Sequence, residues 1–425
     1  MKRIFIPFVG LFLFFAPHAR ADTDSGITRL SDLLSEARDR NPKVLAAKQA
    51  WEAEHAKIRA ARTWNDPKVG LNLEKIRRNK SPKAKNAGSD MYLVEQDIPF
   101  PGKLSARAQA QHHAAKIAEY EYQRTVLEVQ ADVAGHYYNL WELLESIKID
   151  RAHAKIWDRF ASVSERHYAS GKVMQRDVLR AQAEADKISV GLENLEEQLP
   201  VMQAHLNEHV GRTVDAPLGK PEDPAVDFDA SDFAALDSAT VAHNVDLKAA
   251  HHHIEHSRFL LKDAKLNFLP DFTAGWARMA DEGMPKFYNA SLFLNLPIFF
   301  WKQRAQVKAT EAGLQHANYE SERMKKEVAT ELRSAVADLR NAARSARIYR
   351  SSILPRSRKT LEGVESNYLA GRAGFLDLLD AERQLLIEEL TYVNIRAQYG
   401  KARAVLDRVV GNGLPDSSNG GMSHE

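Results

Sequence analysis

The residues with the clearest capacity for chemistry are four histidines in the second half of the chain, His251, His252, His253 and His256. On a helix, His252 and His256 lie one turn apart, a spacing at which two imidazoles can bind the same divalent ion. A catalytic zinc site also needs a third ligand and orienting neighbours, and the chain has no His-Glu-x-x-His motif. The pattern is typical of a solvated helix face, which leaves His252 and His256 as weak candidates for a metal site.

A pair of carboxylates, Asp377 and Asp380, is the second feature that could do chemistry. The two residues share one helical face directly after a predicted turn at Gly371. Carboxylates near a helix start stabilise it by roughly 0.3 to 1 kcal/mol, so the pair has a structural interpretation. Asp177 is its counterpart in the first half of the chain, but Arg180 stands where Asp380 would be matched. Only the second half carries the pair.

No pattern of residues points to an enzyme. The chain has no cysteine, which removes disulfides, thiolate metal ligands and thiol nucleophiles. It also lacks a nucleophile elbow, a phosphate-binding loop and a dinucleotide-binding glycine motif. We therefore predict no catalytic residue and no cofactor. With 59 basic and 57 acidic residues, the formal net charge is +2, so no nucleic-acid partner is expected.

The N-terminal segment is typical of an export signal. Lys2 and Arg3 precede an apolar run at residues 4–16, and Ala19 and Ala21 then form the small-x-small pattern of a cleavage site. The run is too short for a membrane span, which needs about 20 residues. We predict that residues 1–21 are a signal peptide, and no later stretch is apolar and long enough to be a membrane helix.

The rest of the chain contains an internal repeat, which must be recognised before domains are assigned. Asn41 and Pro67 recur as Asn244 and Pro270, at an offset of 203 residues. At an offset of 200 residues, two further blocks recur as Tyr168/Tyr368, Gly171/Gly371, Asp177/Asp377, Leu179/Leu379, Ala181/Ala381, Leu206/Leu406, Val210/Val410 and Gly211/Gly411. The pattern predicts two repeats of one plan at 22–218 and 219–414, followed by a disordered tail at 415–425.

Each repeat has the pattern of a helix, two strands and two long helices. No proline occurs between Pro101 and Pro200, and strong helix formers dominate that stretch and the one at 298–354. Helices of roughly 60 residues would extend about 90 Å. The sequence therefore predicts an elongated, mainly α-helical molecule with a small β part.

Two segments, at about 66–76 and 289–297, alternate apolar and polar residues as β-strands do. Their predicted partner strands, at about 89–98 and 271–279, are similar in length but alternate less regularly. Each has about the 10 residues that a tilted strand needs to cross the hydrocarbon layer. Four strands cannot close a barrel, and open strand edges are not tolerated in lipid. We therefore expect several chains to share one barrel.

At this point the chain resembles the TolC-like outer-membrane efflux protein family, the outer-membrane factors. The resemblance is carried by residues 368–372 followed by 377–381, by the duplicated Asn-containing helix starts, and by the repeated segments that end at Gly211 and Gly411. It implies a homotrimer in which four strands per chain build a twelve-stranded transmembrane β-barrel, while the long helices form an α-barrel across the periplasm. It also implies a passive duct that docks to a periplasmic adaptor (membrane fusion) protein and an inner-membrane, proton-driven RND-type pump.

The same resemblance implies a gate at the periplasmic tip of the helices. Asp377 and Asp380 would line the constricted entrance, and Tyr368 would form a hydrogen bond with Asp177 across neighbouring helices. Arg372 would contribute, although the family's gate arginine aligns nearer the next residue. The outer-membrane lipid would surround only the strands.

A finer resemblance, at residues 96–103, is to members from heavy-metal efflux systems of the CzcC and CusC type, although the chain lacks the lipid-anchor cysteine of CusC-like members. It implies export of heavy-metal cations. Three alternatives remain open: a multidrug efflux channel, a periplasmic coiled-coil adaptor, and a periplasmic metal-binding enzyme built on the histidine cluster.

Overall fold

A computed structural model gives the structure of residues 26–75, 88–171, 173–226, 233–281 and 285–411. The predicted signal peptide at 1–21 and the predicted tail at 415–425 lie outside these described residues. The described chain is mainly helical, with one four-stranded and one two-stranded sheet, so the prediction of a mainly α-helical fold with a small β part is confirmed.

The described part of the first repeat is mainly helical. The elements are β1 (Ile27–Thr28), α1 (Leu30–Arg40), α2 (Pro42–Arg62), β2 (Lys68–Lys75), β3 (Gly88–Ile98), α3 (Lys103–Ala169) and α4 (Gln175–Val210). The second repeat follows the same order of long elements: β4 (Lys220–Pro221), α5 (Phe233–His243), α6 (Val245–Leu266), β5 (Asp271–Asp281), β6 (Phe287–Asn295), α7 (Phe300–Ile348), α8 (Leu354–Leu369) and α9 (Phe375–Val410).

The long helices reach the predicted length. α3 has 67 residues, which corresponds to about 100 Å at 1.5 Å per residue. Its counterpart runs through residues 300–369, because a π-helical turn at Tyr349–Ile353 joins α7 to α8. Pro355 follows this turn, and a proline cannot donate the usual backbone hydrogen bond, so the wider turn lets the helix continue past it. Among the described residues, no helix has the length and apolar character needed to cross a membrane.

The second helix of each repeat, α2 and α6, begins with the same asparagine cap. The Asn41 side chain accepts hydrogen bonds from two N–H groups at the start of α2, and its Nδ2 donates to the His209 carbonyl at 2.6 Å. Asn244 caps α6 in the same way and donates to the Val409 carbonyl at 2.8 Å. Each asparagine thus ties the start of one helix to the end of α4 or α9.

The glycines that end α4 and α9 complete the same joint. Gly211 and Gly411 have φ angles of 87° and 83°, in the left-handed region that favours glycine. A Cβ atom at Gly211 would lie 2.7 Å from the Arg40 carbonyl oxygen, and one at Gly411 would lie 2.6 Å from that of His243. The repeated asparagine and glycine therefore belong to one packed junction, made twice.

The four longer strands form one antiparallel sheet in the order β2-β3-β5-β6. The two repeats meet at the centre, where β3 pairs with β5 along ten residue pairs from Ser89↔Asp281 to Ile98↔Phe272. β2 and β6 are the edges, and neither has a second partner strand in the described part of the chain. Large apolar side chains are exposed on both edge strands, with Val69 78% and Leu292 71% exposed.

Candidate functional site

Residues 96–103 form the joint between the sheet and the long helix. Lys103 is buried, and its Nζ donates to Asp271 Oδ1 and to the Leu269 carbonyl, both at 2.9 Å. The Phe100 N–H donates to the same Asp271 oxygen at 2.7 Å. The segment that carries the finer resemblance therefore fixes where β3 passes into α3, next to the start of β5.

The opposite end of α3 lies at a tip of the molecule, where two short turns each connect a pair of helices. The α3–α4 turn contains Gly171 and the α8–α9 turn contains Gly371, with φ angles of 71° and 72°. A buried cluster behind them joins the two hairpins and includes Trp157, Ala181 and Tyr368. The tip is thus a packed end of the chain, far from the sheet.

The predicted acidic residues lie at the start of the helices that leave this tip. Asp377 is exposed, and its Oδ2 accepts a hydrogen bond from the Gly374 N–H at 3.0 Å, so it caps α9. Asp177 occupies the same place in α4 and accepts from the Met174 N–H at 3.4 Å. Asp380 is exposed one turn beyond Asp377. Asp377 can cap α9 and also line an entrance, because its carboxylate lies at the surface in either role.

Tyr368 and Arg372 have different environments at the tip. Tyr368 is 4% exposed, and its hydroxyl lies 3.4 Å from Ser164 Oγ on α3. Arg372 is exposed in the turn, where its backbone N–H donates a hydrogen bond to the Asn367 carbonyl at 2.8 Å. The structure thus brings Tyr368 to α3, and its hydrogen bond with Asp177 stays a prediction.

The two histidine candidates bind different partners on α3. His252 Nδ1 lies 3.0 Å from His113 Nδ1, whereas His256 Nδ1 lies 2.8 Å from the Ala110 carbonyl oxygen. Burial, with the neighbouring His113, lowers the pKa of His252 to about 4. Within the described ranges, no group of three or more histidine and acidic side chains is arranged to hold a metal ion.

A buried charge cluster between α3 and α9 was missed by the sequence analysis. His153 Nδ1 lies 2.7 Å from Glu382 Oε1, and His153 Nε2 lies 3.1 Å from Glu389 Oε2. Burial disfavours the His153 cation, but the hydrogen bonds to both glutamates outweigh burial and raise its pKa to about 9. The available signal was Glu382 itself, because it lies between Leu378 and Leu385 at a position where the apolar face of α9 predicts a leucine.

Comparison with known protein families gives a match along both repeats. The model of the family described as outer membrane efflux protein matches residues 33–212 and 236–412. These two ranges include the tip turns, the sheet and both asparagine caps.

Individual relatives are similar to the chain over nearly its whole length. The cobalt-zinc-cadmium resistance protein CzcC of Cupriavidus metallidurans is 22% identical over 97% of this chain and 100% of its own. The solved outer membrane protein VceC of Vibrio cholerae is 19% identical, with a TM-score of 0.77 over 90% of this chain and 96% of its own. The solved CusC is 16% identical, with a TM-score of 0.79 over 90% of this chain and 92% of its own. On the two family-model matches, which together cover most of its length, the chain belongs to the outer membrane efflux protein family.

Proposed function

We propose that this protein is the outer-membrane channel of a tripartite efflux pump, a passive exit duct that carries out no chemistry. Three copies assemble, each with four strands in one twelve-stranded barrel in the outer membrane and with its long helices across the periplasm. The duct docks to a periplasmic adaptor protein and, with it, to an inner-membrane RND-type pump. The observation that carries the proposal is the family match along both repeats.

The sheet supports assembly with further copies of the chain. β2 and β6 each present an unpaired edge among the described residues, and both carry exposed apolar side chains. In lipid, each backbone N–H or C=O group without a hydrogen-bond partner destabilises the protein by roughly several kcal/mol. Strand edges in a membrane must therefore pair with other strands. Pairing β2 of one copy with β6 of the next satisfies both edges by the same contact in every copy.

The tip supports a gate. Three copies would place Asp377 and Asp380 from each chain around one axis, and carboxylates at short range repel unless cations lie between them. An entrance of this kind selects for cations. Tyr368, through a hydrogen bond with Asp177, and Arg372, in the adjoining turn, would hold the tip closed until the adaptor separates the helices.

Heavy-metal cations are the cargo that we propose. The support is the likeness to the cobalt-zinc-cadmium resistance protein, which covers both chains almost completely. Multidrug efflux is the second candidate, because the solved structures that the chain resembles, CusC and VceC with TM-scores of 0.79 and 0.77, show the fold alone and leave the cargo open. The family match to both repeats and the four-stranded sheet argue against the alternative that the chain is a coiled-coil adaptor.

Deletion of the gene in its native host, with complementation from a plasmid, tests the proposal. We expect the deletion strain to become more sensitive to cobalt, zinc, cadmium, copper or silver salts and to regain tolerance on complementation. Unchanged metal tolerance with new sensitivity to dyes and antibiotics would move the cargo to drugs. Unchanged tolerance to both classes would contradict the efflux function.

A further inference from the structure

Four aromatic rings form a column between α3 and α6, in the order Tyr120, His252, His113 and Phe259. Successive ring centroids are 5.5, 5.2 and 5.5 Å apart, with interplanar angles of 16°, 33° and 17°. α3 supplies Tyr120 and His113, and α6 supplies His252 and Phe259. Each helix therefore holds the other helix's histidine against one of its own aromatic rings, which restricts the orientation of both imidazoles.

The two central rings place their Nδ1 atoms 3.0 Å apart. Two imidazole nitrogens that bind one divalent ion at about 2.0–2.1 Å, at an angle of roughly 90–110°, lie about 2.9–3.4 Å apart. The His113–His252 distance falls in this range. Without an ion, the same distance allows one Nδ1–H to donate to the other Nδ1, so the two nitrogens already lie close together before an ion arrives.

The position of the protons on the pair changes when an ion binds. An imidazole binds a metal ion through a ring nitrogen that carries no proton. In the hydrogen-bonded pair one Nδ1 holds a proton, so an ion that binds both Nδ1 atoms requires this proton to leave while Nε2 of the same ring takes one up from solvent. Both imidazoles are then neutral, and no net proton is released.

We propose that His113 and His252 bind one divalent transition-metal ion through their Nδ1 atoms, so that the ion links α3 to α6 within one chain. Water completes the coordination, since no third histidine or acidic ligand converges on the pair in the described part of the chain. His113 lies ten residues after the start of α3, which places the site about 15 Å from the sheet end of that helix. The site goes beyond the proposed transport function, because it does not depend on which cargo passes through the channel.

Titration of the full mature chain with Co²⁺ tests the site, with the protein purified in detergent without a polyhistidine tag. We expect one ion per chain and a fall in affinity of roughly tenfold or more in His113→Gln and in His252→Gln. His253→Gln is the matched control, because it removes the next histidine of α6 and leaves the column intact. His136→Gln is a second control, since His136 lies in another histidine group with its ring centroid 4.2 Å from that of His209. Equal affinity in all four variants, or loss of binding only in His136→Gln, would overturn the proposal.

X-ray absorption of the wild-type protein loaded with one equivalent of Co²⁺ gives an answer that does not depend on the folding of any variant. We expect two imidazole nitrogens with the remaining ligands oxygen. Zero, one, or three and more imidazoles would overturn the two-histidine site. The outer rings of the column, Tyr120 and Phe259, give a further test. Tyr120→Leu leaves both ligands in place but no longer restricts the His252 ring, and should weaken Co²⁺ binding by roughly tenfold.

Discussion

His153 and Glu382 form a buried contact that joins α3 to α9. His153 Nδ1 lies 2.7 Å from Glu382 Oε1, and the two side chains are 3% and 0% exposed. Glu389 contacts the other ring nitrogen and in turn accepts hydrogen bonds from Arg358 on α8. His153 and Glu389 therefore link three helices of the chain, and the raised pKa of His153 favours its charged form between the two glutamates.

Removal of this histidine should strongly destabilise the protein. His153→Gln leaves Glu382 buried without its cation, and loss of one partner of a buried ion pair costs roughly 3–5 kcal/mol. We expect a clearly lower melting temperature by circular dichroism. His112→Gln, at an exposed histidine of the same helix, is the control and should melt close to wild type.

The stability should also depend on pH through His153. Its folded pKa of about 9 is higher than the ordinary value of about 6.5, so its contribution is complete below about pH 6.5 and is lost as the pH rises towards and through 9. The melting temperature of the wild type should fall over this range by more than that of His153→Gln. Parallel curves for the two proteins would show that His153 is not charged in the folded state.

The acidic residues at the tip should control cation block. In planar bilayers, Asp377→Asn with Asp380→Asn should weaken block by multivalent cations added on the periplasmic side, since both charges leave the entrance. Asp380→Asn alone is the cleaner variant, because Asp377 also caps α9. Asp338→Asn, on an exposed face of α7 far from the tip, should leave block unchanged. If block survives the double change, the acidic pair does not line the entrance.

Tyr368 can be tested against its neighbour on α3. Tyr368→Phe should raise the resting conductance if its hydroxyl bonds Asp177 in the closed tip. Ser164→Ala removes the group that lies 3.4 Å from the same hydroxyl and should leave conductance near wild type. Equal conductance increases in both variants would assign the hydroxyl to packing within one chain and rule out the bond to Asp177.

Close packing between α3 and α9 depends on Gly400. A Cβ atom there would collide with the ring of Tyr138, so Gly400→Ala should cost about 1–3 kcal/mol through overpacking. Gly363→Ala on α8 is the matched control, because a Cβ atom there meets nothing within 4 Å. It should be neutral or stabilising by up to about 1 kcal/mol, since alanine favours a helix. Thermal melts of the two variants in opposite directions would support this packing, and equal melts would contradict it.

The local sequence pattern was sufficient to predict the helices and strands, but not the side-chain contacts between long helices. The repeat was visible because Asn41, Asn244, Gly211 and Gly411 each have a backbone requirement that few residues meet. The partner of Glu382 was not visible, because His153 is 229 residues away and the alignment of two long helices sets the pair. For the same reason, the sequence paired His252 with His256 on one helix, whereas the structure places His252 against His113, 139 residues away.

The most direct test of the central claim is disulfide trapping between the two sheet edges. The chain has no cysteine, so any disulfide must come from introduced residues. Val69→Cys on β2 is combined in turn with cysteines along β6, at Ala290, Leu292 and Leu294, and each single cysteine is the control. The account predicts that at least one pair gives a covalent species of three chains on a non-reducing gel of the outer-membrane fraction. A chain that stays monomeric with every pair, and is recovered as a soluble protein, would contradict it.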